Sequence, residues 1–536
     1  MTMPIQEESA TLFSNQSQTI FVLDTPHSIA QAQTLSSYQL QSCAPSSGPP
    51  EPAAGEDNKH AQKRFLLSKT PLGAPYPSKT EPKSDSARAK VLARIPESER
   101  VFHAAISPIV QHALGIIREQ LVPLRAEKHW CLPRHVEEDT PSVSVNADSG
   151  TCDSTSASTS KKRPRADSVH QYDLAHWNKL CDTSSLDECV SGLGAPLILS
   201  STSPNLFSSM LELDTIVKNP SCEPATLSIS PRDETGVSAS TEYIIPPKSN
   251  FIIGNLPLST PIECVQPLGV IPGMPEDQKF NLLLFDPPWP NKSVRRSRHY
   301  QTHPYAEMDI LTQRLADILH AHAYQAISPP TITQEPSPTQ LQNRDSIAAI
   351  WITNSEKARR VAYSILSTSG FHVSEEWIWI KVTARGEPIC PVDALWRKPY
   401  EILVIGRRDN NVTNQSSISS SHPSPASNNI FADGGASFGT NSEPDFQTLS
   451  PTGKNITRRV IAAVPDIHSR KPNLRELFER IFFQGMVSSP SSQGQDSARV
   501  WPYTALEVFA RNLTAGWWAC GNEVLKFNDT KCWVDE

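Results

Sequence analysis

Four consecutive residues, Asp286-Pro287-Pro288-Trp289, set a carboxylate, two imino acids and an indole directly after the apolar run Leu282-Leu283-Leu284-Phe285. The run reads as a buried strand. The tetrapeptide therefore sits at a strand's C-terminal end, the edge where open α/β sheets bind ligands. This set suits a flat, amino-bearing ring. The Asp286 carboxylate accepts from N–H and the Trp289 indole stacks on the ring face. Pro287 and Pro288, with fixed φ and no N–H, stiffen the loop and leave carbonyls free to accept.

Four further segments add polar groups. Asn291-Lys292-Ser293-Val294-Arg295-Arg296-Ser297 and then Tyr300 interleave cations with hydroxyls beside the expected pocket. That pattern fits phosphate contacts on a nucleic acid as well as it fits a plain polar loop. Lys398-Pro399-Tyr400-Glu401 leads into an apolar run, and starting that strand is the role expected of it. His468-Ser469-Arg470-Lys471-Pro472 opens a helical pattern over 472–483 in which Leu474, Leu477, Phe478 and Ile481 share a core-facing stripe. With Pro472 at the first helical position, the helix start would add amide donors and positive potential. Lys471 would then face a carboxylate or a ribose hydroxyl. Glu507-Val508-Phe509-Ala510-Arg511-Asn512 runs from a strand into a polar turn, followed by Gly516-Trp517-Trp518 and Gly521-Asn522-Glu523. Arg and Asn beyond a strand end can hydrogen-bond a ribose. No GxGxxG stretch occurs, which excludes an ordinary dinucleotide site.

The elements that must position these groups alternate from residue 249 onward. Strands are expected at Phe251–Ile253, Leu282–Phe285, Ala348–Ile352, Trp377–Val382, Glu401–Ile405, Ala505–Phe509 and Gly516–Trp518, and helices near 305–323, 355–369 and 472–483. They predict a largely parallel, doubly wound α/β sheet over 249–536. Polar, low-complexity insertions near 327–345, 409–453 and 487–498 read as surface loops. Upstream, residues 1–95, rich in Ser, Gln, Pro and Lys, read as a disordered region. Residues 96–135 form a helical accessory segment with Val101, Ile106, Val110, Ala113, Ile117 and Leu121 near helical spacing. Its regular part is expected to start near Ser107, because Pro108 suits a first helical position. Residues 136–168 read as a linker whose run Lys161-Lys162-Arg163-Pro164-Arg165 suits a nuclear-import address. Residues 169–248, with apolar pieces such as Tyr172–Leu180, read as a partly ordered accessory segment.

The chain has 536 residues, 47 of them Pro and only 38% apolar, with a mean hydropathy of −0.38. That length allows two or three domains with much of the chain left unpacked. A net charge of −7 gives no global pull toward a polyanion, so nucleic-acid binding would use local basic patches. Ten cysteines are scattered and none forms a CxxC pair. Cys181 and Cys189 are too isolated for a zinc site, so no metal is expected. The thiols read as reduced and intracellular. The polar start MTMPIQEES lacks the apolar core of a secretory signal, and no apolar run approaches membrane-spanning length. These features predict a nuclear protein, with the cytoplasm as a second compartment, acting as a monomer away from membranes.

Asp-Pro-Pro-Trp after an apolar strand resembles the catalytic signature of amino-methyltransferases. DPPWPNKSVRRS, EWIWIKVT, RKPYEILVIGR, HSRKPNL and EVFARNL, with the GW and GNEVLKF that follow, together resemble the MT-A70 family over roughly 240–536. No such likeness covers the first 170 residues. The resemblance implies a Rossmann-like, S-adenosylmethionine-dependent methyltransferase domain whose catalytic motif precedes the cofactor-binding strand. It makes Asp286, Pro287, Pro288 and Trp289 the catalytic tetrapeptide. Asp286, Lys471, Arg511, Asn512, Asn522 and Glu523 become cofactor contacts, together with Asn255 and Leu256, where Asn255 replaces an acid usual in relatives. Trp289, Asn291, Lys292, Ser293, Arg295, Arg296 and Tyr300 would face the substrate. Leu513 and Thr514 differ from the His and Asn of the family's messenger-RNA enzyme. The implied reaction is methylation of adenine N6, notably in 2′-O-methyladenosine of small nuclear RNA. DNA N6-adenine methylation, N4-cytosine methylation and a catalytically silent nucleic-acid-binding subunit are the alternatives. The base would have to be flipped or unpaired, since N6 is occupied inside a duplex.

Overall fold

The computed structural model describes residues 9–37, 39–40, 64–77, 81–124, 130–136, 195–230, 240–254, 270–289, 308–324, 346–395, 397–408, 447–449, 455–467, 470–483 and 503–535. Ten strands of one central sheet are numbered here in chain order: β1 Thr11–Ser14, β2 Ile20–Leu23, β3 Asn250–Ile253, β4 Leu282–Phe285, β5 Ile347–Ile352, β6 Phe371–Lys381, β7 Tyr400–Arg408, β8 Asn455–Ala463, β9 Ala505–Val508 and β10 Trp518–Gly521. The helices are α1 Thr25–Gln31, α2 Glu97–Leu124, α3 Met308–His322, α4 Glu356–Thr368 and α5 Arg475–Phe478. In space the strands run β1-β2-β8-β6-β7-β5-β4-β9-β10-β3, and Val217–Lys218 and Leu197–Ile198 extend the β3 edge.

β4 and β5 are apolar and buried at every position, as strands covered on both faces must be. Side chains alternate across the sheet. Leu283, Phe285, Ala348, Ile350 and Val404 enter the cluster that contains Leu315, Ile318 and Leu319 of α3 and Ala362, Ile365 and Leu366 of α4. Leu282, Leu284, Ala349, Trp351 and Leu403 enter the opposite cluster with Leu477 and Phe478 of α5. Helices thus cover both faces, which makes the fold Rossmann-like α/β.

The sheet is mixed where a largely parallel one was expected. β5, β4, β9, β10 and β3 are mutually parallel, whereas β7 runs against both β5 and β6. Antiparallel neighbours need no helical crossover, so the chain from β6 returns directly into β7. β8, not anticipated as a strand, lies parallel to β6, and Gln447–Leu449, inside the expected 409–453 insertion, pairs with it. β10 starts at Trp518, two residues later than expected, after Gly516 at φ 77°.

The N-terminal region departs furthest from expectation. β1 and β2 pair with each other, β2 lies parallel to β8, and all four β2 residues are buried. Arg64–Leu66 pairs with Trp533–Asp535. A polar average over residues 1–95 concealed this short apolar strand and the capped helix behind it, where Asp24 accepts from the His27 amide at 2.9 Å.

α2 begins at Glu97 and runs unbroken through Pro108, so a start near Ser107 is too late. Proline in a helix interior costs about 3 kcal/mol. Burial of Ile106, Ile109, Val110, Ala113, Leu114, Ile117 and Leu121, at roughly 1.5–3 kcal/mol for each large side chain, outweighs that. Val101, expected in the same stripe, is 62% exposed. α5 is a single turn from Arg475, followed by a π turn over Glu479–Phe483, rather than a helix opening at Pro472. Asn473 Oδ1 accepts from the Arg475 amide at 2.9 Å and starts it. Lys471 therefore stands in the coil ahead of the turn, away from any helix-start potential.

Residues 195–248 add a three-stranded sheet, Asn205–Phe207, Ala225–Ile229 and Thr241–Ile245. Its core joins Leu227 and Ile245 to Phe251, Leu513, Val524 and Leu525. The basic run 161–165, the segment 172–180 and most of the three expected insertions lie outside the described residues. Among the described residues no helix is long and apolar enough to cross a membrane, and no group of three or more His, Cys, Asp or Glu could hold a metal ion.

Candidate active site

Strand direction explains which groups meet. β4, β9, β10, β5, β6 and β8 all point their C-terminal ends at one edge, while the reversed β7 starts there. Asp286 follows β4, Arg511 and Asn512 follow β9, Glu523 follows β10, and Lys471 arrives on the coil after β8. Glu401, second residue of β7, reaches the same edge because its strand is inverted.

A cleft of about 530 Å³, open to solvent, lies at this edge and is lined by Asp286, Lys471, Glu507, Arg511 and Asn512 among others. Asp286 Oδ1 accepts from Lys471 Nζ at 2.8 Å, and its Oδ2 faces Arg511 Nη1 at 3.3 Å. Each cation has a second acid: Lys471 meets Glu401 at 3.5 Å and Arg511 meets Glu523 at 3.0 Å. Lys381 closes one end of the chain on Glu401, and Lys526 closes the other on Glu523 at 2.7 Å. The charges alternate along the whole row. Burial disfavours the Glu401 anion, but Lys381 and Lys471 outweigh it and hold the carboxyl down at about 2. Burial likewise disfavours the Lys471 cation, and Asp286 and Glu401 outweigh it and raise the ammonium above its ordinary value.

Phe509, Trp517 and Phe527 supply flat apolar walls to the same cleft. Phe509 holds a left-handed φ of 64°, a conformation that costs about 1 kcal/mol or more and clusters at functional sites. Gly521 lies against it, and a Cβ there would come within 3.2 Å of Phe509 Cα. A side chain at position 521, where φ is 152°, would therefore crowd the backbone of the lining residue.

Of the residues singled out in the sequence, Asp286, Lys471, Arg511 and Asn512 come together. Glu523 joins them through Arg511, and Asn522 stands beside Glu523 without lining the cleft. Asn255, Leu256, Asn291, Lys292, Ser293, Arg295, Arg296 and Tyr300 lie outside the described residues. Trp289 departs from the stacking role expected of it. The indole is 3% exposed in the main core, and its Nε1 donates to the Trp351 carbonyl at 2.6 Å. It anchors the end of β5 instead of presenting a free face. The Pro287 carbonyl already accepts from the Trp289 amide at 2.8 Å, and a carbonyl oxygen keeps a second lone pair for another donor.

Two carboxylates escaped the sequence reading. Glu401 was assigned only to starting its strand; the signal was an acid at the first turn into YEILVIG. Glu507 lines the cleft, and its carboxyl makes no hydrogen bond to a described residue. Burial first, and the Asp286 charge second, push its carboxyl up to about 8 against the pull of Arg511 and Lys471. The folded form thus keeps a proton that the unfolded chain releases near 4.5. The stability contributed by that neutral carboxyl is complete below pH 4.5 and is lost as pH rises through about 8. Glu507→Gln removes the titration, so its melting temperature should gain on the parent's progressively from pH 5 to pH 9. A difference that stays flat across that range would contradict this reading.

The donor set fits S-adenosylmethionine, on which MT-A70 methyltransferases generally depend. Ammonium and guanidinium groups match a carboxylate and ribose hydroxyls, the acids match an amino group, and the aromatic walls match an adenine face.

Residues 280–445 match the MT-A70 family model. The chain is 34% identical over 260 residues to the N6-methyladenosine RNA methyltransferase MTA1 of Cryphonectria parasitica, covering 48% of this chain and 55% of that protein. It is 31% identical over 297 residues to MTA1 of Pyricularia oryzae, covering 54% and 57%. It is 30% identical over 288 residues to the N(6)-adenine-specific methyltransferase METTL4 of Homo sapiens, covering 53% and 44%. The chain spans about half the length of the curated relatives it matches.

Proposed function

We propose, from the premise that this chain carries an MT-A70 domain, that it transfers a methyl group from S-adenosylmethionine to N6 of adenine in nucleic acid. The observation that carries this reading is the Asp286 carboxylate, fixed at the end of β4 between Lys471 and Arg511 in the cleft. The N6 lone pair of adenine is delocalised into the ring and attacks poorly. Asp286 and the free lone pair of the Pro287 carbonyl accept the two N6 hydrogens, which lets the nitrogen pyramidalise and aim its lone pair. Bound in the cleft, S-adenosylmethionine supplies an electrophilic methyl group on a sulfonium. Lys471 and Arg511 hold Asp286 in one orientation, so little reorganisation accompanies the step. Asp286 needs no great basicity, because the N6 proton becomes acidic only as the new N–C bond forms. The carboxylate then takes that proton, while the electron pair of the broken S–C bond stays on the sulfur of the departing donor. Trp289 acts from behind, through the Trp351 backbone.

RNA is the polymer this reading favours, with 2′-O-methyladenosine in small nuclear RNA as its particular target and the nucleus as its compartment. The names of the two fungal relatives support RNA, and the basic run Lys161–Arg165 supports nuclear import. The test offers the full chain three oligonucleotides of one sequence: RNA carrying 2′-O-methyladenosine, unmodified RNA, and single-stranded DNA. Mass spectrometry of released nucleosides should find N6 methylation fastest on the first. Methylation of the DNA alone would overturn the choice of polymer, and none on any strand would favour a silent binding subunit.

A further inference from the structure

We propose that Gln33 and Asn528 are positioning residues, a pair of side-chain amides that lock the turn carrying Arg511 and Asn512 against the back of the cleft. The inference rests on the reading of the cleft given above. Leu513 follows those two residues and is wholly buried. Its N–H donates to Asn528 Oδ1 at 2.7 Å, and its carbonyl accepts from Gln33 Nε2 at 2.8 Å. The two amides also hold each other, Asn528 Nδ2 donating to Gln33 Oε1 at 2.9 Å. Asn528 is 0% exposed and donates as well to the Ile244 carbonyl at 2.9 Å. A neutral amide is the side chain that can donate and accept at once in this geometry. A carboxylate in place of Gln33 would set an oxygen against the Leu513 carbonyl.

Neighbouring bonds show that α1 and the segment after it together grip both loops of the cleft. The Ala515 amide donates to the Ala32 carbonyl at 2.8 Å. The Asn473 amide, beside Lys471, donates to Ser28 Oγ at 3.0 Å, and Asn473 Nδ2 donates to Thr514 Oγ1 at 2.8 Å. Residues 480 positions away in the sequence from Leu513 therefore set where the Arg511 guanidinium stands relative to Asp286 and Glu523. Losing the Gln33 donor leaves a buried carbonyl unsatisfied, and the turn relaxes to find water.

The test uses the full chain with Gln33→Met, which keeps length and apolar bulk but removes the bonds to Leu513 and Asn528 and a longer one to the Ile29 carbonyl at 3.3 Å, and Gln33→Glu, which keeps only the acceptor for Asn528. Gln33 is half-buried, and if the first variant does not fold the second decides. Amide hydrogen exchange over residues 511–515 should accelerate about tenfold while β4 is unchanged, and affinity for S-adenosylmethionine measured by calorimetry should weaken about tenfold. A lowered melting temperature with exchange over 511–515 unchanged overturns the clasp. Failure of the unmutated chain to bind S-adenosylmethionine would sink the reading of the cleft instead, and the exchange measurement would still decide the clasp.

Discussion

Asp286→Ala is expected to lower methyl transfer by at least about a thousandfold while the protein stays folded. An oriented group that meets charge developing in a transition state is worth roughly 10²–10³ in rate, and in the proposed mechanism Asp286 also holds one of the two N6 hydrogens. The fold should survive because neither cation is orphaned: Lys471 keeps Glu401 and Arg511 keeps Glu523. Glu507 gains, losing the like charge that helps to push its proton affinity up. Single-turnover assays with quantified N6-methyladenine, run beside melting curves and S-adenosylmethionine calorimetry, separate these effects. Residual turnover within tenfold of the parent at unchanged cofactor affinity would remove Asp286 from the chemistry.

Lys471→Met should be the more damaging change to the site as a whole. It leaves Asp286, Glu401 and Glu507 at one edge with Lys381 and Arg511 as the remaining counter-charges in contact with them. Breaking a fully buried pair costs 3–5 kcal/mol. Lys471 and its partners are 17–25% exposed, so solvent screening reduces this to about 1–3 kcal/mol. The loss should deepen above pH 8, because Lys471 is one of the two groups that restrain the Glu507 carboxyl. Without it the carboxyl binds its proton still more tightly and is stripped of stability further as the medium becomes alkaline. Affinity for S-adenosylmethionine should fall at least about tenfold, by loss of a cation proposed to face its carboxylate. A melting difference that shrinks from pH 7 to pH 9 would contradict the coupling to Glu507.

What the sequence disclosed followed from the length scale of its signals. Leu282–Phe285 is uninterrupted and was legible to the residue, and so was the acid after it. β5, β7 and β9 were read within a residue or two at their starts for the same reason. β2 is as apolar but only four residues long, and the polar surroundings masked it. The reversal of β7 left no local trace, since direction is decided by partners in the sheet; with it went the role of Glu401. Trp289 was misjudged because an indole after a strand has the same sequence signature whether it faces a ligand or the core. Glu507 sat in plain view within a strand, but its neighbour Asp286 lies 221 positions earlier, and no spacing rule spans that distance.

The placement of β2 beside β8 has a consequence for how the polypeptide is made. Thr25 and Val464 are in contact across 439 positions, and at roughly 5–20 residues per second synthesis of that interval takes about 20–90 s. During that time Ile20–Leu23, four buried residues of the finished sheet, can pair only with β1, and the edge that β8 will cover stays open. Such long-range closure folds slowly, and an open edge on an apolar strand is a template for aggregation. The second edge of β2 is therefore covered only after about 440 further residues have been made, and until then it is the part of this sheet most open to wrong pairing.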